Sequence, residues 1–462
     1  MKNLFVAAIA LAVVISIDVA PSAQTTAKPA PPSTVVFAAV GPDLTQYDLD
    51  ISRATLEKRG TVTLPANVQE AAWHPSRRRL YVAWSNRGAS AGAGGATASE
   101  GRHGVTVFQV TATGMLTASG SIPLRSRPIH VTTDAKGAHL LVAYNDPSGV
   151  TVHRIHGNGT IGSEVKPQSP LDTGIYAHHV RVLPSDNAVV LVTRGNAPTV
   201  STPEDPGALK VLAFDNGRLK NTGSIAPGRG YGFQARHIDF HPSRPWAYLT
   251  LERQNRIDAF RIEHDSLSSA PLFSKITLAE PNNVRAGQTT SSIHLHPSGR
   301  FVYVGNRASA TTDVQGTPVS IGGENTIAVF SINQETGEPT LIQTADTRGF
   351  HPRTFAIDPS GRVLVVGNLT PLAVRDEHGV HTVPAGLSVF TIGSDGTLSF
   401  ARKYDVEANP AAGRSLFWMG ISSLNLREGA RIARGTAISR WRTRPTTRST
   451  ARVETANPGR PS

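Results

Sequence analysis

The sequence contains no cysteine among its 462 residues. Disulfide bonds, thiolate zinc sites and cysteine nucleophiles are therefore excluded, and the stability of the fold has to come from its packed core. Charged residues make up 17% of the chain and hydrophobic residues 39%, which is enough for such a core. The sequence also lacks an HExxH motif, a GxSxG turn, a P-loop and a dinucleotide-binding glycine motif. Zincin, serine-hydrolase and nucleotide-dependent activities therefore have no support.

Long apolar runs are missing as well, except for one near the N-terminus. Residues 4–17 are apolar, follow Lys2 and precede small residues at 20–23. This order is typical of a secretory signal peptide, and the run is short for a membrane span. We expect a signal peptide over 1–23 and a linker over 24–34. The protein is then periplasmic or secreted and free of the membrane after cleavage, with an uncleaved N-terminal anchor as the alternative.

Positive charge is abundant but unevenly distributed. The formal net charge is +12, of which residues 421–462 carry +7 through nine arginines and two glutamates. Because Lys2 and Asp18 cancel, residues 24–420 carry only +5. We interpret 421–462 as a basic, disordered tail, which a shifted reading frame would explain. A nucleic-acid-binding arm is the less favoured alternative, so no nucleic-acid partner is expected.

A short refrain recurs along the chain. It reads HPSGRFVYVGNR at 296–307, and related stretches have their turns at 74, 134, 183, 241 and 358. Each copy consists of a short strand, a tight turn and a strand rich in β-branched and aromatic residues, followed by two further strands. Four antiparallel strands repeated in this way predict the blades of a β-propeller, and six blades are complete.

The two ends of the repeat region supply a seventh blade. Residues 35–63 form three strands without an innermost partner, and 413–421 form a lone apolar strand. Pairing the two closes the ring and leaves no open sheet edge. The fold class is therefore predicted to be all-β: a seven-bladed β-propeller over 35–420, closed by N-terminal strands plus a C-terminal strand.

Antiparallel order places the refrain turns on one face and the loops between second and third strands on the other. Those loops are long at 87–104, 194–208, 307–325 and 369–386, which favours a site on their face. The turn histidines, in contrast, are interpreted as scaffold that hydrogen-bonds to backbone: His74, His241 and His296.

Polar side chains recur where innermost strands begin and second strands end. The beginnings hold His178, Arg236 and Arg353, and the ends hold Arg194, Glu252 and Arg307. Each has an ordinary explanation, since a strand-start histidine is usually packed structurally and a strand-end charge is usually solvated. Their convergence on one channel mouth favours function. His130, His179 and His237 lie one position after the start of their innermost strands and are interpreted as structural. His178 and His179 are not expected to bind a metal together, because adjacent residues of a strand point to opposite sides.

Four stretches resemble one known family: IYAHHV (175–180), QARHIDFHPSRPWAYLTLE (234–252), HPSGRFVYVGNR (296–307) and HPRTFAIDPSGRVLVVGN (351–368). They are similar to the seven-bladed β-propeller lactonases of the 6-phosphogluconolactonase type, a family that also includes a fungal carboxy-muconate lactonising enzyme. The resemblance covers about residues 35–420, and GRSLFWMG (413–420) is similar to the usual end of the family. Its most specific part is an Arg-His pair before the His-Pro turn with a glutamate sixteen residues after the arginine, met by Arg236 and Glu252.

The resemblance implies a site and an activity. It implies catalytic roles for His178, Arg236, Glu252 and Arg307, and substrate binding is expected of Arg194, Arg353 and His179, with no metal or other cofactor. Gln234-Ala235 stands where the family usually has Gly-Pro, and Tyr176-Ala177-His178 where His-x-His is common, so the choice between His178 and His179 stays open.

This residue set suits the opening of a lactone by water. Arg236 or Arg307 could stabilise the tetrahedral oxyanion, while Glu252 or His178 takes a proton from the attacking water. We expect an exported, monomeric lactonase that hydrolyses a sugar-acid or related lactone, a small-molecule substrate. The alternatives are a non-catalytic propeller of the YVTN type, which binds a ligand or protein on the same face, and a lactonising cycloisomerase.

Overall fold

The computed structural model describes residues 34–87, 101–111 and 113–424. Regular structure in these ranges is β-strand, apart from two short 3₁₀ turns at Pro227–Gly230 and Pro410–Ala412. None of the described segments forms a helix that is long and apolar enough to cross a membrane. The predicted signal peptide, linker and basic tail lie outside the described residues, except for the first residues of the tail.

The first half of the chain forms three blades and most of a fourth, which we number by the order of their innermost strands. Blade 7 begins with β1 (Thr34–Val40), β2 (Asp43–Asp50) and β3 (Thr55–Thr63). Blade 1 contains β4 (Asn67–Trp73), β5 (Arg79–Ser85), β6 (His103–Val110) and β7 (Leu116–Pro123). Blade 2 contains β8 (Pro128–Thr133), β9 (His139–Asn145), β10 (Ser148–Ile155) and β11 (Ile161–Glu164). Blade 3 contains β12 (Ala177–Val182), β13 (Ala188–Thr193), β14 (Ala208–Asp215) and β15 (Arg218–Ile225).

The second half completes the ring. Blade 4 contains β16 (Ala235–Phe240), β17 (Trp246–Leu251), β18 (Arg256–Glu263), β19 (Ser266–Leu267) and β20 (Phe273–Ile276). The next strands are β21 (Thr289–Leu295), β22 (Phe301–Arg307), β23 (Thr311–Val314), β24 (Thr317–Ser320), β25 (Thr326–Ile332) and β26 (Pro339–Asp346). They are followed by β27 (Pro352–Ile357), β28 (Val363–Asn368), β29 (Leu372–Asp376), β30 (Gly379–Val383), β31 (Gly386–Ile392), β32 (Leu398–Asp405) and β33 (Leu416–Ser423). Blade 5 has the order β21-β22-β25-β26, and blade 6 has the order β27-β28-β31-β32.

The last strand closes the ring as the sequence predicts. β33 pairs antiparallel with β1 from Thr34↔Ser423 to Val40↔Leu416 and so becomes the innermost strand of blade 7. The strand extends three residues beyond the predicted propeller end at 420, because Ser422 and Leu424 are still buried against the blade. The predicted seven-bladed propeller is therefore confirmed.

The core lies between the blades. All residues of the second strands β13 and β22 are buried, because neighbouring sheets cover both faces of each blade. These strands accordingly consist of continuous valine, leucine and aromatic runs, for which each buried side chain contributes about 1.5–3 kcal/mol. The same burial brings the polar ends of the second strands inward at the face that carries the long loops.

The refrain joins neighbouring blades. Nε2 of His241 lies 2.9 Å from the carbonyl oxygen of Gly299 in the next blade, and Nε2 of His296 lies 2.8 Å from that of Gly361. His74 makes the same contact with the carbonyl oxygen of Gly137 at 3.1 Å. The prediction that these histidines are scaffold bonded to backbone is confirmed, and the contacts also hold one blade to the next.

A register shift recurs near the start of the innermost strand in blades 1 to 6. The shifts lie between Val68 and Glu70, Pro128 and His130, Ala177 and His179, Ala235 and Ile238, Thr290 and Ile293, and Pro352 and Thr354. Such a bulge inserts unpaired residues and re-aims their side chains. Consecutive residues of one strand can therefore both reach the channel.

Two of the predicted long loops contain a further sheet. The loops at 307–325 and 369–386 each fold into a hairpin, and the two hairpins join through the parallel pair Val319↔Ala373 in the order β23-β24-β29-β30. The two-residue turn Gln315-Gly316, in which both residues have a positive φ, closes the first hairpin. This sheet was not predicted, and it builds up the site-bearing face beside blades 5 and 6.

Candidate active site

A cavity of about 330 Å³ occupies the centre of the propeller and is lined by residues from the innermost strands of all seven blades. On the face that carries the long loops, strand ends bring four charged side chains together around Arg236, the one member of this group that lines the cavity. Arg236 is the second residue of β16, Glu252 follows β17, Arg307 ends β22 and Arg194 follows β13. The predicted convergence of these positions is thus present in the structure.

Glu252 is the centre of this arrangement. Its Oε2 accepts a hydrogen bond of 3.0 Å from Nη1 of Arg194, and its Oε1 accepts one from Nη2 of Arg307. Nε of Arg236 lies 3.6 Å from the same Oε1. Both carboxylate oxygens are therefore occupied by arginine, and we call Glu252, Arg194, Arg236 and Arg307 the ion-pair cluster.

The ion-pair cluster keeps the carboxylate charged. Burial alone would raise the pKa of Glu252, but the charges of Arg307, Arg236 and Arg194 outweigh it and lower the pKa to about 2. A carboxylate with such a pKa is a weak proton acceptor. Glu252 is therefore better suited to holding arginines in position than to accepting a proton from water.

Arg307 is fully engaged by its surroundings. Its Nε donates to Oγ1 of Thr289 at 3.1 Å, its Nη1 to Nε2 of His351 at 3.2 Å, and its Nη2 to Glu252. Burial, followed by the charge of Arg307, lowers the pKa of His351 well below its usual value, so this imidazole is neutral and can accept the bond. The Arg307 guanidinium is consequently fixed in place.

Arg236 differs from Arg307 because some of its N–H donors make no hydrogen bond. Its side chain is 1% exposed, it lines the central cavity, and its Nε and Nη1 have no hydrogen-bond partner. A buried guanidinium nitrogen without an acceptor is costly, and an oxyanion is its natural complement. Within the ion-pair cluster, Arg236 is thus the arginine with donors available to a bound ligand.

Both predicted histidines line the cavity, which contradicts the expectation that adjacent residues point to opposite sides. Ala177 pairs with Thr193 but His179 pairs with Val192, so His178 lies in the bulge and its side chain is turned to the same side. Nδ1 of His178 is buried without a partner, whereas Nδ1 of His179 accepts from the backbone N–H of Ile238 at 3.4 Å.

The two histidines belong to a larger cluster in the channel. The ring centroids of His179 and His237 are 4.4 Å apart, those of His130 and His179 are 3.9 Å apart, and those of His178 and His237 are 5.2 Å apart. Burial, the leading cause in each case, lowers the pKa of His178 well below its usual value, and that of His130 to about 3. After burial, the charge of Arg236 has the largest effect on His178, while His130 has the largest on His179. Of His178 and His179, His178 is therefore the one on which the ion-pair cluster acts more strongly. In the ranges that the structure describes, no group of three or more histidine or acidic side chains is placed to hold a metal ion.

The remaining predicted residues flank the mouth. Arg194 is the most exposed member of the ion-pair cluster, and its guanidinium carbon lies 4.0 Å from the ring centroid of Tyr176. Arg353 lines the cavity, and its guanidinium carbon lies 3.8 Å from the ring centroid of Phe417. Arg353 is thus separate from the ion-pair cluster.

Sequence reasoning missed three groups at this mouth. Glu70 lies next to Gln69 in β4 and lines the cavity, where burial raises its pKa to about 7. Arg127 precedes β8, and Phe417 belongs to the closing strand. The bulge in β4 explains why Glu70 reaches the cavity, because in a regular strand its side chain would point away from the channel.

Comparison with known proteins agrees with this fold. The model of the family "Lactonase, 7-bladed beta-propeller" matches residues 37–371. A 6-phosphogluconolactonase of Bacillus subtilis is 28% identical over 281 residues, which cover 58% of this chain and 72% of the relative. One from Serratia proteamaculans is 26% identical over 321 residues, which cover 67% and 80%.

Solved structures show the same architecture. A protein from Lactobacillus plantarum superposes with a TM-score of 0.61 at 20% identity, over 86% of this chain and 100% of that one. The periplasmic gluconolactonase of Pseudomonas aeruginosa has a TM-score of 0.59 at 18% identity, over 81% and 97%. At these identities the similarity establishes the fold.

Proposed function

Because this chain belongs to the seven-bladed β-propeller lactonase family, we propose that it hydrolyses a sugar-acid or related lactone to the hydroxy acid at the mouth of its central channel. The 6-phosphogluconolactonases among its relatives support this reaction class. The observation that carries the proposal is Arg236, the member of the ion-pair cluster that lines the cavity and whose buried Nε and Nη1 make no hydrogen bond.

In this proposal Arg236 binds the lactone carbonyl oxygen. Water attacks the carbonyl carbon, and the negative charge that develops on the oxygen is stabilised by the free N–H groups of Arg236. A donor already fixed in place needs no reorganisation during the reaction, so the interaction is stronger in the transition state than in the ground state. Arg307 and Arg194 act indirectly, since Glu252 holds them and Arg236 as one unit.

His178 is the proposed proton acceptor. Its buried Nδ1 has no hydrogen-bond partner, and its ring lines the cavity together with Arg236, so this nitrogen is placed to take the proton of the attacking water. The ring C–O bond then breaks, the alkoxide takes up a proton, and the product acid ionises. The positive charge in this scheme comes from arginine, so the reaction is proposed to be independent of metal.

The apolar segment after Lys2 supports export to the periplasm or beyond, which remains part of the proposal. Export can be checked by fractionating cells that express the full chain and determining the N-terminal residue of the mature protein. A protein retained in the cytoplasm with an intact N-terminus would contradict it.

Hydrolysis is tested directly by pH-stat titration with D-glucono-1,5-lactone and its 6-phosphate. We expect acid release above the buffer rate, unchanged by EDTA, and lowered at least a hundredfold in kcat by Arg236→Gln. Arg261→Gln, an exposed arginine on β18, is the matched control and should retain the wild-type rate. Rates equal to buffer for a panel of lactones would overturn the proposal and leave a ligand-binding propeller.

A further inference from the structure

In the proposed reaction, the proton that reaches the departing ring oxygen has no assigned donor. When the ring C–O bond breaks, this oxygen becomes an alkoxide, which is a strong base and a poor leaving group. A positioned acid that gives it a proton in the transition state accelerates such a step by about a hundredfold to ten-thousandfold. Glu252 cannot be this acid, because three arginines keep it ionised.

Glu70 lies in the cavity in which the lactone is proposed to bind. Its side chain lines this cavity together with those of Arg236 and His178. The cavity volume of about 330 Å³ is small, so a lactone that fills it touches several of the lining groups at once. Glu70 is only partly buried, and a ligand in the cavity can therefore reach it.

Hydrogen bonds to neutral donors hold the Glu70 carboxyl group in place. Its Oε1 accepts a hydrogen bond from the backbone N–H of Ala71 at 3.1 Å, and the side chain of Trp418 also hydrogen-bonds to the carboxyl group. Among the residues that the structure describes, Glu70 takes part in no ion pair. The carboxyl group thus has a fixed orientation without a salt bridge that would force it to ionise.

The strands packed against Glu70 bring few charges to it. The charges that act on it are those of Arg353 in β27 and Arg236 in β16, and both have smaller effects than burial. The neighbouring strand β8 carries His130, whose pKa burial lowers to about 3, so this imidazole is neutral. β5 places Ala83 opposite Glu70. Burial therefore dominates and raises the pKa of Glu70 to about 7.

Two carboxyl groups on which Arg236 acts thus have opposite protonation states. The arginines around Glu252 lower its pKa to about 2, whereas burial raises that of Glu70 to about 7. Below neutral pH, Glu252 is ionised and Glu70 keeps its proton. Environments that separate two pKa values in this way mark the group with the higher value as the acid.

We propose that Glu70 is the general acid of the reaction and gives its proton to the ring oxygen as the C–O bond breaks. This inference rests on the proposed function and deepens it by assigning the proton donor. First, His178 takes one proton from water, and the hydroxide oxygen bonds to the carbonyl carbon. The electrons of the ring C–O bond then pass to the ring oxygen, which takes the proton of Glu70 and becomes the hydroxyl group of the product. His178 releases its proton to solvent and Glu70 takes one up, so one water is consumed in each cycle.

The pH profile of D-glucono-1,5-lactone hydrolysis tests this role, with the buffer rate subtracted at each pH. We expect kcat/KM of the wild type to fall as the pH rises through about 7, because Glu70 loses the proton that it has to donate. Glu70→Gln has no proton to transfer, so its kcat at pH 6 should be about a hundredfold lower and the fall should vanish. Glu70→Asp retains an acid and should keep the fall and recover about tenfold of the lost rate. Glu57→Gln, at an exposed position of β3, is the control and should match the wild type.

A comparison of leaving groups separates proton donation from a structural role. δ-Valerolactone releases an alkoxide, whereas 3,4-dihydrocoumarin releases a phenoxide, which departs without a proton. We expect Glu70→Gln to lower kcat about a hundredfold for δ-valerolactone and less than about fivefold for dihydrocoumarin. Arg236→Gln removes donors to the carbonyl oxygen and should slow both lactones equally. Equal losses for the two lactones in Glu70→Gln would show that Glu70 only supports the cavity, and would overturn its role as the acid.

The role of Glu70 and the proposed function fail in different ways. If the wild type hydrolyses none of these lactones, the proposed function fails and the role of Glu70 fails with it. If the wild type hydrolyses them and Glu70→Gln keeps the wild-type rate, the lactonase proposal stands. The role of Glu70 then fails alone, and the proton on the ring oxygen comes from His178.

Discussion

Nη1 of Arg307 donates a hydrogen bond to Nε2 of His351 across 3.2 Å. The backbone N–H of His351 in turn donates to Oδ1 of Asn325 at 2.8 Å, and His351 has a φ of +56°, a conformation that few side chains adopt. Asn325 thus holds His351 in position, and His351 holds Arg307, which donates a hydrogen bond to Glu252. His351 is a positioning residue for the ion-pair cluster.

Replacing His351 tests this role. His351→Gln retains an acceptor and should keep kcat within about threefold, whereas His351→Phe leaves Nη1 of Arg307 without a partner and should lower kcat/KM about tenfold, roughly 1.4 kcal/mol. Steady-state kinetics on D-glucono-1,5-lactone measures both. His378→Phe, in an exposed hairpin position, is the control. Equal losses in the glutamine and phenylalanine variants would indicate a packing role only.

Glu252→Gln should destabilise the protein and abolish catalysis together. Removing the charge leaves Arg194, Arg236 and Arg307 close together without a carboxylate, and breaking a buried ion pair from one side costs about 3–5 kcal/mol. Urea unfolding gives the free-energy change. Glu338→Gln is the matched control, since its ion pair with Lys275 is over one-third exposed and should contribute less than about 1 kcal/mol. Similar changes in the two variants would show that Glu252 is not the anchor of the cluster.

Glu70 should make stability fall as pH rises. Its pKa is about 4.5 ordinarily and about 7 in the fold, mainly through burial, partly countered by the Ala71 N–H, Trp418, Arg353 and Arg236. Between pH 4.5 and pH 7 the folded protein keeps a proton on Glu70 that the unfolded chain releases. The contribution of Glu70 to the free energy of unfolding is therefore full below pH 4.5 and is lost as the pH rises through 7.

The glutamine variant isolates this contribution. Glu70→Gln cannot ionise, so it should gain about 2 kcal/mol relative to the wild type between pH 5 and pH 8, measured by urea unfolding at both values. Glu335→Gln, in an exposed turn, should show no such difference. Parallel pH dependences for wild type and Glu70→Gln would mean that Glu70 ionises normally in the fold.

Gly361→Ala should weaken the joint between blades 5 and 6. Gly361 has a φ of +72°, and a Cβ there would lie 2.4 Å from Nε2 of His296. We expect a loss of about 1–3 kcal/mol in unfolding free energy. Gly157→Ala, where a Cβ meets nothing within 4 Å, should change stability by less than about 0.5 kcal/mol. A loss no larger than that of the control would contradict the proposed joint.

The fold was predictable because its signals are local and repeated. The strand spacing around each refrain defined six blades, and 413–421 was recognisable as the missing strand because no other apolar segment remained. The same alignment placed Arg194, Arg236, Glu252 and Arg307 together, since equivalent positions in different blades meet at the channel.

The features that the sequence did not predict are those in which the structure departs from the regular repeat. The bulge at His178 reversed the expected direction of one side chain, and no residue type announces a bulge in advance. The position of Glu70 in the cavity was not predicted because β4 also contains a bulge. The sheet formed by the two long loops depends on pairing between segments about fifty residues apart, such as Val319 with Ala373, which periodicity within either segment does not reveal.

The pairing of β1 with β33 also bears on the order in which the protein acquires its site. Thr34 and Ser423 meet although they are 389 positions apart, so this contact can form only after nearly all of the chain has been synthesised. Such non-local contacts form slowly during folding. Phe417, against whose ring the guanidinium groups of Arg127 and Arg353 lie, arrives with this strand. A chain whose ring is still open therefore lacks one wall of the mouth, and binding competence should appear only at the final step of folding.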